Sequence, residues 1–364
     1  MKVIIAAGGT GGHIFPGIAL AHEFKRRDER AEILFVGTPR GLESKIVPHA
    51  GFDLELISVG ALKGVSLFER VKSLIGLPLS FVRALRILRR FKPDVVIGVG
   101  GYSSGPLLLM AALSGRPTMV VEPNAMPGFT NRVLARFVDA AALTFEEAQK
   151  YFRGRSVVTG NPVRGDFAGL KKKGRGEKVH VLIFGGSQGA SAINKAMSDA
   201  LPLLASKIDA LAITHQTGER DFEGIRRRYL EAGFEGADVK PFIKDMANHF
   251  AQADMLICRA GATTAAEVAA AGKAAIFIPF PFATDDHQRK NAEAFERAEA
   301  ARMILQKELT PERLAEEIIR LVDHPEAIDR MEEASRALGR PDSAARAVDL
   351  ALSLVADRPK TAMD

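Results

Sequence analysis

Four stretches of this chain hold the residue types and spacings that could do chemistry. The first, Gly8-Gly9-Thr10-Gly11-Gly12-His13, follows an apolar run and opens a helical one. Such a turn lets the backbone approach a ligand closely and aims free amides at it from a helix N-terminus. It lacks the GK[ST] ending of a triphosphate loop and the G-x-G-x-x-G spacing of a dinucleotide site, so nucleoside-triphosphate hydrolysis and nicotinamide chemistry lose support. His13 stands at the start of the helix, where the positive end of the dipole disfavours imidazolium. The neutral imidazole is what a general base needs. A capping or packing histidine would occupy the same place.

The second stretch, Gly185-Gly186-Ser187-Gln188-Gly189-Ala190, offers amides and a hydroxyl suited to a diphosphate, and a tight strand-to-helix turn without a ligand reads the same way. Two such turns in matching places favour the ligand. The third, Cys258-Arg259-Ala260-Gly261-Ala262-Thr263-Thr264, also follows a strand and opens a helix. Thr263 and Glu267 lie four apart on one face there, so a single helix end could hold phosphate and ribose; a solvated face is the plainer alternative for Glu267. The fourth, Asp285-Asp286-His287-Gln288-Arg289-Lys290-Asn291, is dense in side chains that bind sugar hydroxyls, although polar helix starts look alike. Arg164, in Gly160-Asn161-Pro162-Val163-Arg164, could counter a phosphate. No HExxH, cysteine cluster or Asp-x-Asp pair is present, so no metal or other cofactor is expected, and amides, dipoles and arginine are expected to stabilise a leaving diphosphate.

The elements that must position these stretches are short apolar strands alternating with amphipathic helices, the pattern of parallel sheets covered by helices. Strands are expected at Val3–Ala6, Ile33–Val36, Leu54–Ile57, Val95–Val99, Thr118–Val121, Ala140–Leu143 and Val157–Val158. After the polar segment LKKKGRGEK the pattern restarts with HVLIF, followed by strands at Ala210–Thr214, Val239–Lys240, Met255–Ile257, Ala274–Ile278 and Met303–Leu305. The fold class is therefore α/β: two Rossmann-like domains, each opened by a strand and a glycine turn, with ligands expected in a cleft between them. The first domain should span residues 1–163 and be completed by a C-terminal helix at 341–357; the second should span 164–340.

A length of 364 residues suits two domains, and 47% apolar with 26% charged residues is ordinary for a folded chain. The single cysteine, Cys258, fits a buried thiol and a reducing compartment. MKVIIAAGGTGGH is too short in its apolar run and too glycine-rich for a signal peptide, and no stretch reaches the ~20 apolar residues of a spanning helix. The expectation is a cytosolic protein unless something holds it to a surface. The net charge of +6 is local: residues 63–92 carry eight Lys or Arg against Glu69, while the other 334 residues, 42 basic and 43 acidic, sum to −1.

GGTGGHIFPGIALA, GGYSSGP, EPNAMPGFTNRVLA, GNPVR, GGSQGA and RAGATTAAEVAAAGKAAIFIPFPFATDDHQRKNA, in this order and spacing, closely resemble the MurG family of peptidoglycan glycosyltransferases. Those enzymes add N-acetylglucosamine to undecaprenyl-diphosphate-N-acetylmuramoyl-pentapeptide. The resemblance covers nearly the whole chain. It implies a GT-B fold, parallel sheets facing across a deep cleft, and an inverting, metal-independent transfer from UDP-N-acetylglucosamine to the C4 hydroxyl of the lipid-linked muramoyl sugar. It also implies Glu267 as ribose ligand, Ser187 and Arg164 as phosphate partners, and Gly261, Ala262 and Thr263 as a diphosphate cradle. His287, Gln288 and Asn291 become donor-sugar contacts, and backbone near Ile243 faces the uracil. On the acceptor side Thr10, Gly11, Gly12, Tyr102, Glu122, Asn124 and Asn131 fall in matching motifs, with His13 the favoured base. Pro123 stands where members often carry glutamine, so a contact from that side chain is unavailable.

A lipid-linked acceptor places the enzyme at the cytoplasmic face of the cell membrane, and residues 63–92 interleave apolar and basic side chains around Pro78. Leu67, Phe68, Ile75 and Leu79 with Lys72 and Arg83 are expected to dock peripherally on an anionic surface, each basic residue adding roughly 1 kcal/mol. A long amphipathic helix packed on the sheet is the other reading. No nucleic acid is expected as a partner. Two rival functions share the expected architecture: a nucleotide-sugar epimerase, which leaves the basic apolar segment unexplained, and a nucleotide-sugar sensor, which gives His13 no task.

Overall fold

The computed structural model describes residues 1–357 apart from 10, 40, 60–66, 102, 125, 168, 171–173, 175, 187, 188, 284 and 285 and, for side chains, 67–76. The chain divides into two compact units, Met1–Arg164 with Arg340–Asp364, and Gly165–Gly339.

In the first unit, β1 (Lys2–Ala7), β2 (Glu32–Gly37), β3 (Asp53–Leu56), β4 (Val95–Gly100), β5 (Thr118–Glu122), β6 (Ala140–Leu143) and β7 (Arg155–Val158) form one parallel sheet in the order β3-β2-β1-β4-β5-β6-β7. Its helices are α1 (Gly11–Arg27), α2 (Glu43–His49), α3 (Leu67–Phe91), α4 (Ser104–Leu113), α5 (Phe129–Leu134) and a C-terminal helix, Ser343–Ala356. Strand alternation splits the core into two layers. Val3, Ile5 and Ala7 pack with α1 and the C-terminal helix, whereas Ile4 and Ala6 pack with α3 and α4. Arg27 fastens the C-terminal helix to α1 by donating to the Ala345 carbonyl at 2.9 Å and by pairing with Asp349.

In the second unit, β8 (Val179–Phe184), β9 (Leu211–Gln216), β10 (Asp238–Lys240), β11 (Met255–Cys258), β12 (Ala274–Phe277) and β13 (Ala301–Met303) form a parallel sheet in the order β10-β9-β8-β11-β12-β13. It carries α6 (Ser191–Ala200), α7 (Phe222–Glu231), α8 (Met246–Gln252), α9 (Ala262–Ala271), α10 (His287–Arg297), α11 (Pro311–Asp323) and α12 (Pro325–Leu338).

Each sheet reverses its order once, between β1 and β4 and between β8 and β11. In open parallel sheets, ligands bind beyond the carboxyl ends of the strands at such a reversal. The turns after β1, β4, β8 and β11 are therefore where ligands are expected, and three of the chemistry-bearing stretches lie in them.

Two details depart from the sequence reading. Arg164 and Arg340, placed there with the second domain, belong to the first unit: the Arg164 guanidinium lies 4.7 Å from the centre of the Phe15 ring, and the stem of Arg340 packs closely on Gly160. The last strand lies at Ala301–Met303, pairing Ala301 with Ala275 and Met303 with Phe277. Exposed Arg302 on this edge strand obscures the apolar pattern, and Leu305 already leads into a short 3₁₀ turn. Within the basic segment, α3 is compatible with both readings of it: its last turns bury Ala84, Ile87 and Leu88 against the sheet, while Leu79 and Val82 stay more than half exposed. The side chains of Leu67, Phe68, Lys72 and Ile75 lie outside the described residues. Among the described residues, no helix is long and apolar enough to cross a membrane.

Candidate active site

The first unit's site forms where the turns after β1 and β4 meet. Gly101 has φ +85°, and a side chain there would overlap the Gly8 carbonyl, so close packing of the two turns requires glycine. His13, in the first turn of α1, is half-buried with its ring lying under Gly100. Its Nδ1 sits 3.2 Å from the Gly8 carbonyl oxygen. A carbonyl can only accept, so Nδ1 carries a proton, and in the neutral ring the lone pair is then on Nε2, the tautomer that a general base at Nε2 requires. Thr10 and Tyr102 lie outside the described residues; Gly11 and Gly12 form the start of α1.

Glu43 was not singled out from sequence, yet it braces this turn. Fully buried, it accepts from the Thr38 amide at 2.6 Å, the Thr38 hydroxyl at 2.8 Å and the Gly9 amide at 3.0 Å. The Leu42 amide in turn donates to the Gly9 carbonyl at 3.3 Å. The signal was thin: an acid following Gly37-Thr38-Pro39-Arg40-Gly41-Leu42 reads as a polar loop, and only the adjacency of β1 and β2 brings it to Gly9. Glu43→Ala strands two amides and a hydroxyl without an acceptor. Loss of such partners costs about 1–3 kcal/mol each when buried, so the melting temperature of the variant should fall by several degrees, and turnover should fall with it. An unchanged melting curve would contradict the bracing role.

On the opposite side of the β4 turn, Gly105 packs on Thr130 of α5. Here Glu122 ends β5 and is almost completely buried. One carboxylate oxygen accepts from the amide and side chain of Asn124 at 3.0 and 3.1 Å; the other accepts from the Gly128 amide at 3.1 Å and Asn131 Nδ2 at 2.8 Å. Burial pushes its pKa above the ordinary carboxylate range, and these donors pull the other way. Glu122 and Asn131 thus hold the 123–131 loop together from inside, whereas Asn124 is half-buried on it. Arg164 joins this unit through Phe15.

In the second unit, the turn after β8 lies beside the turn after β11, because Phe184 pairs with Cys258. Ser187 and Gln188 lie outside the described residues. Gly189, at φ +74°, fits against the Thr217 carbonyl so closely that any side chain would overlap it. Gly261 caps α9 in an extended conformation, leaving the first amides of Ala262 and Thr263 at the helix start. Glu267, one turn on, is largely buried. Asn291, on α10, is buried and donates to the Ala260 carbonyl at 3.0 Å, so it anchors the turn before Gly261. Gln288 accepts from the Phe280 amide at 3.0 Å, and His287 is half-buried at the start of α10. Arg259, driven down to about 10 by burial, donates to the carbonyls of Ile278 and Pro279 and to Gln306 Oε1. Cys258 is buried, which pushes its thiol pKa up, and the nearby Glu267 charge adds to this.

Ile243 is buried, and its amide donates to Gln216 Oε1 at 2.8 Å. Its N–H is therefore committed within the protein. Preceding Gln216 in β9, fully buried His215 has its Nδ1 3.0 Å from the Tyr229 hydroxyl and its Nε2 3.1 Å from Asn194 Oδ1. Burial lowers its pKa to about 3, so it is neutral: Nε2–H donates to the amide oxygen and Nδ1 accepts from the phenol. Asn194 Nδ2 continues to the Thr217 carbonyl and Asp221. This relay was not foreseen; its only signal is a polar His-Gln-Thr run ending an apolar strand.

Residues 3–143 match the glycosyltransferase family 28 N-terminal domain, and residues 180–347 match the glycosyltransferase family 28 C-terminal domain. The UDP-N-acetylglucosamine--N-acetylmuramyl-(pentapeptide) pyrophosphoryl-undecaprenol N-acetylglucosamine transferase of Myxococcus xanthus is 49% identical over 358 residues, 98% of this chain and 93% of that protein. Its namesake from Geotalea uraniireducens is 47% identical over 355 residues, 96% of this chain and 97% of that protein. Among solved structures, MurG of Acinetobacter baumannii aligns with a TM-score of 0.75 at 31% identity, covering 97% of this chain and 100% of that one. A UDP-N-acetylglucosamine 2-epimerase aligns with a TM-score of 0.72 over 99% of this chain and 97% of its own, but at 14% identity it shares the fold alone. Two parallel-sheet α/β units with the GT-B arrangement of strands, family 28 matches to both, and near-half identity along almost the full length make the chain a glycosyltransferase that belongs to the MurG family.

Proposed function

We propose that this protein transfers N-acetylglucosamine from UDP-N-acetylglucosamine to the C4 hydroxyl of undecaprenyl-diphosphate-linked N-acetylmuramoyl-pentapeptide, with inversion and without a metal. The observation that carries the chemistry is the Nδ1···Gly8 contact, which selects the tautomer whose neutral ring has its lone pair on Nε2. In the proposed step the acceptor O4 bonds to the anomeric carbon as its proton passes to Nε2, and the bond from that carbon to the UDP oxygen breaks. The developing diphosphate charge meets the amides at the start of α9 and in the turn after β8. The first unit supplies the base and the acceptor loop braced by Glu122. The second supplies the donor site, with backbone near Ile243 on the uracil, Glu267 on the ribose, Ser187 and the Gly261–Thr263 turn on the diphosphate, and His287 and Gln288 on the sugar. Arg164, though part of the first unit, keeps its role as a phosphate partner. Asn291 acts by holding the turn at Ala260.

A single displacement inverts the anomeric centre. NMR of the disaccharide made from the α-linked donor should show a β linkage; an α linkage would overturn the proposed step.

The same reading places the protein peripherally on the cytoplasmic face of the cell membrane. Support comes from Leu79 and Val82, exposed on α3, with Arg86, Arg89 and Arg90 exposed further along it. Phe129 and Val133 of α5 and Phe137 beyond it are also about half exposed, with Arg132 and Arg136 between them. Replacing Leu79 and Val82 together with glutamate removes apolar contact and adds two negative charges. With each favourable basic contact worth roughly 1 kcal/mol, sedimentation with anionic vesicles should drop at least tenfold while activity on a short-chain soluble acceptor persists. Unchanged sedimentation would refute docking by this face.

A further inference from the structure

Gln216 is the last residue of β9, which lies between β8 and β10 in the sheet. Its neighbours in register are Phe184, which leads into the second glycine turn, and Lys240, which leads toward Ile243. The side chain is almost fully buried and spans this gap with both ends occupied. Nε2 donates to the Gly186 carbonyl at 2.8 Å, and Oε1 accepts from the Ile243 amide at 2.8 Å. The chemistry fixes its orientation, because Gly186 offers only an acceptor and Ile243 only a donor. The backbone beside it is held as well: Thr217 N donates to the Lys240 carbonyl at 3.0 Å and Gly218 N to the Pro241 carbonyl at 3.1 Å. The Gly186 carbonyl also accepts from the Gly189 amide at 3.0 Å, closing the turn on itself.

We infer that Gln216 is a positioning residue that ties the diphosphate turn at Gly186 to the base-facing segment at Ile243, so that a nucleoside diphosphate is bound as one unit rather than as a base and a diphosphate separately. The inference rests on the donor site proposed above. It goes further by naming the link between two of its parts. Neither end of a uridine diphosphate needs to touch Gln216. A ligand that orders one segment orders the other through the shared carboxamide, so the second contact is made against a segment already in place.

Gln216→Glu is the discriminating variant. It keeps the shape and the acceptor for Ile243, and it sets an oxygen against the Gly186 carbonyl where an N–H had been. Gln216→Met fills the volume with neither bond. Calorimetric titrations of UDP and of uridine into the wild type and both variants give the ratio of the two affinities, which a general loss of stability does not change. With Gln216→Glu, UDP affinity should fall about tenfold or more, the equivalent of one hydrogen bond lost with its partner left buried. Uridine affinity should change by about twofold at most. Gln216→Met should weaken both and still lower the ratio. A wild-type ratio in both variants overturns the inference. Glu267→Ala separates this from a failure of the underlying reading: if it weakens UDP while the Gln216 variants keep the wild-type ratio, only the coupling is wrong. If Glu267→Ala and both Gln216 variants all leave UDP affinity intact, the donor site itself is misplaced and the inference falls with it.

Discussion

Replacing His13 with alanine should lower kcat by about 10²–10⁴-fold, the range for loss of a positioned general base, while the affinity for UDP-N-acetylglucosamine stays within about twofold. The asymmetry follows from where the residue sits. His13 belongs to the first unit, in the first turn of α1, and its Nδ1 faces the Gly8 carbonyl. The proposed donor contacts belong to the second unit apart from Arg164. A group used only as the proton moves contributes to the transition state and not to donor binding. Steady-state kinetics with a short-chain acceptor, set beside a direct donor titration, checks both halves. An equal loss in donor affinity would mean that His13 serves the ligand site rather than the chemistry. His13→Asn, which keeps a donor near Gly8 but has no comparable base, should be nearly as slow as alanine.

Glu122→Gln should reduce kcat/KM for the acceptor by about 10²-fold with donor affinity unchanged. The carboxylate accepts four hydrogen bonds, two on each oxygen, all from N–H donors of its own loop. An amide replaces one acceptor with a donor. Whichever way it turns, an N–H then faces the Gly128 amide or the Asn124 amide, and neither can reverse its polarity. The loop must shift, and displacement of about 1 Å is enough for a loss of this size. Glu122→Asp, which keeps the charge on a shorter stem, should recover part of the activity. Kinetics at saturating donor with varied acceptor reads the effect; a wild-type acceptor profile for Glu122→Gln would show that the carboxylate is not organising this loop.

The strands were legible because a parallel sheet buried on both faces demands unbroken apolar runs, and Val3–Ala7 or Met255–Cys258 offer nothing else. Glycine turns were legible for the complementary reason: the approach of Gly101 to Gly8, or of Gly189 to Thr217, excludes any side chain. Edge strand β13 was misplaced by two residues because one polar arginine in a three-residue strand outweighs its two apolar neighbours. What stayed hidden is the set of buried polar braces. His215 and Gln216 close β9 and Glu43 opens α2 after the loop that follows β2, where a sequence shows only polar residues beside an apolar run. Their partners, Gly9, Gly186 and Ile243 in turns and loops and Asn194 on α6, lie 21 to 34 residues away in the chain. The resemblance implies substrate contacts for Glu122 and Asn291; the structure adds that both are buried and hydrogen-bonded to the loops that would carry such contacts, which depends on which atoms are covered.

The most direct test follows UDP release from UDP-N-acetylglucosamine in the presence of EDTA, with and without a short-chain analogue of the lipid-linked muramoyl-pentapeptide. The account predicts release that requires the acceptor and persists in EDTA. Release that is independent of the acceptor, or abolished by EDTA and restored by a divalent cation, would contradict it.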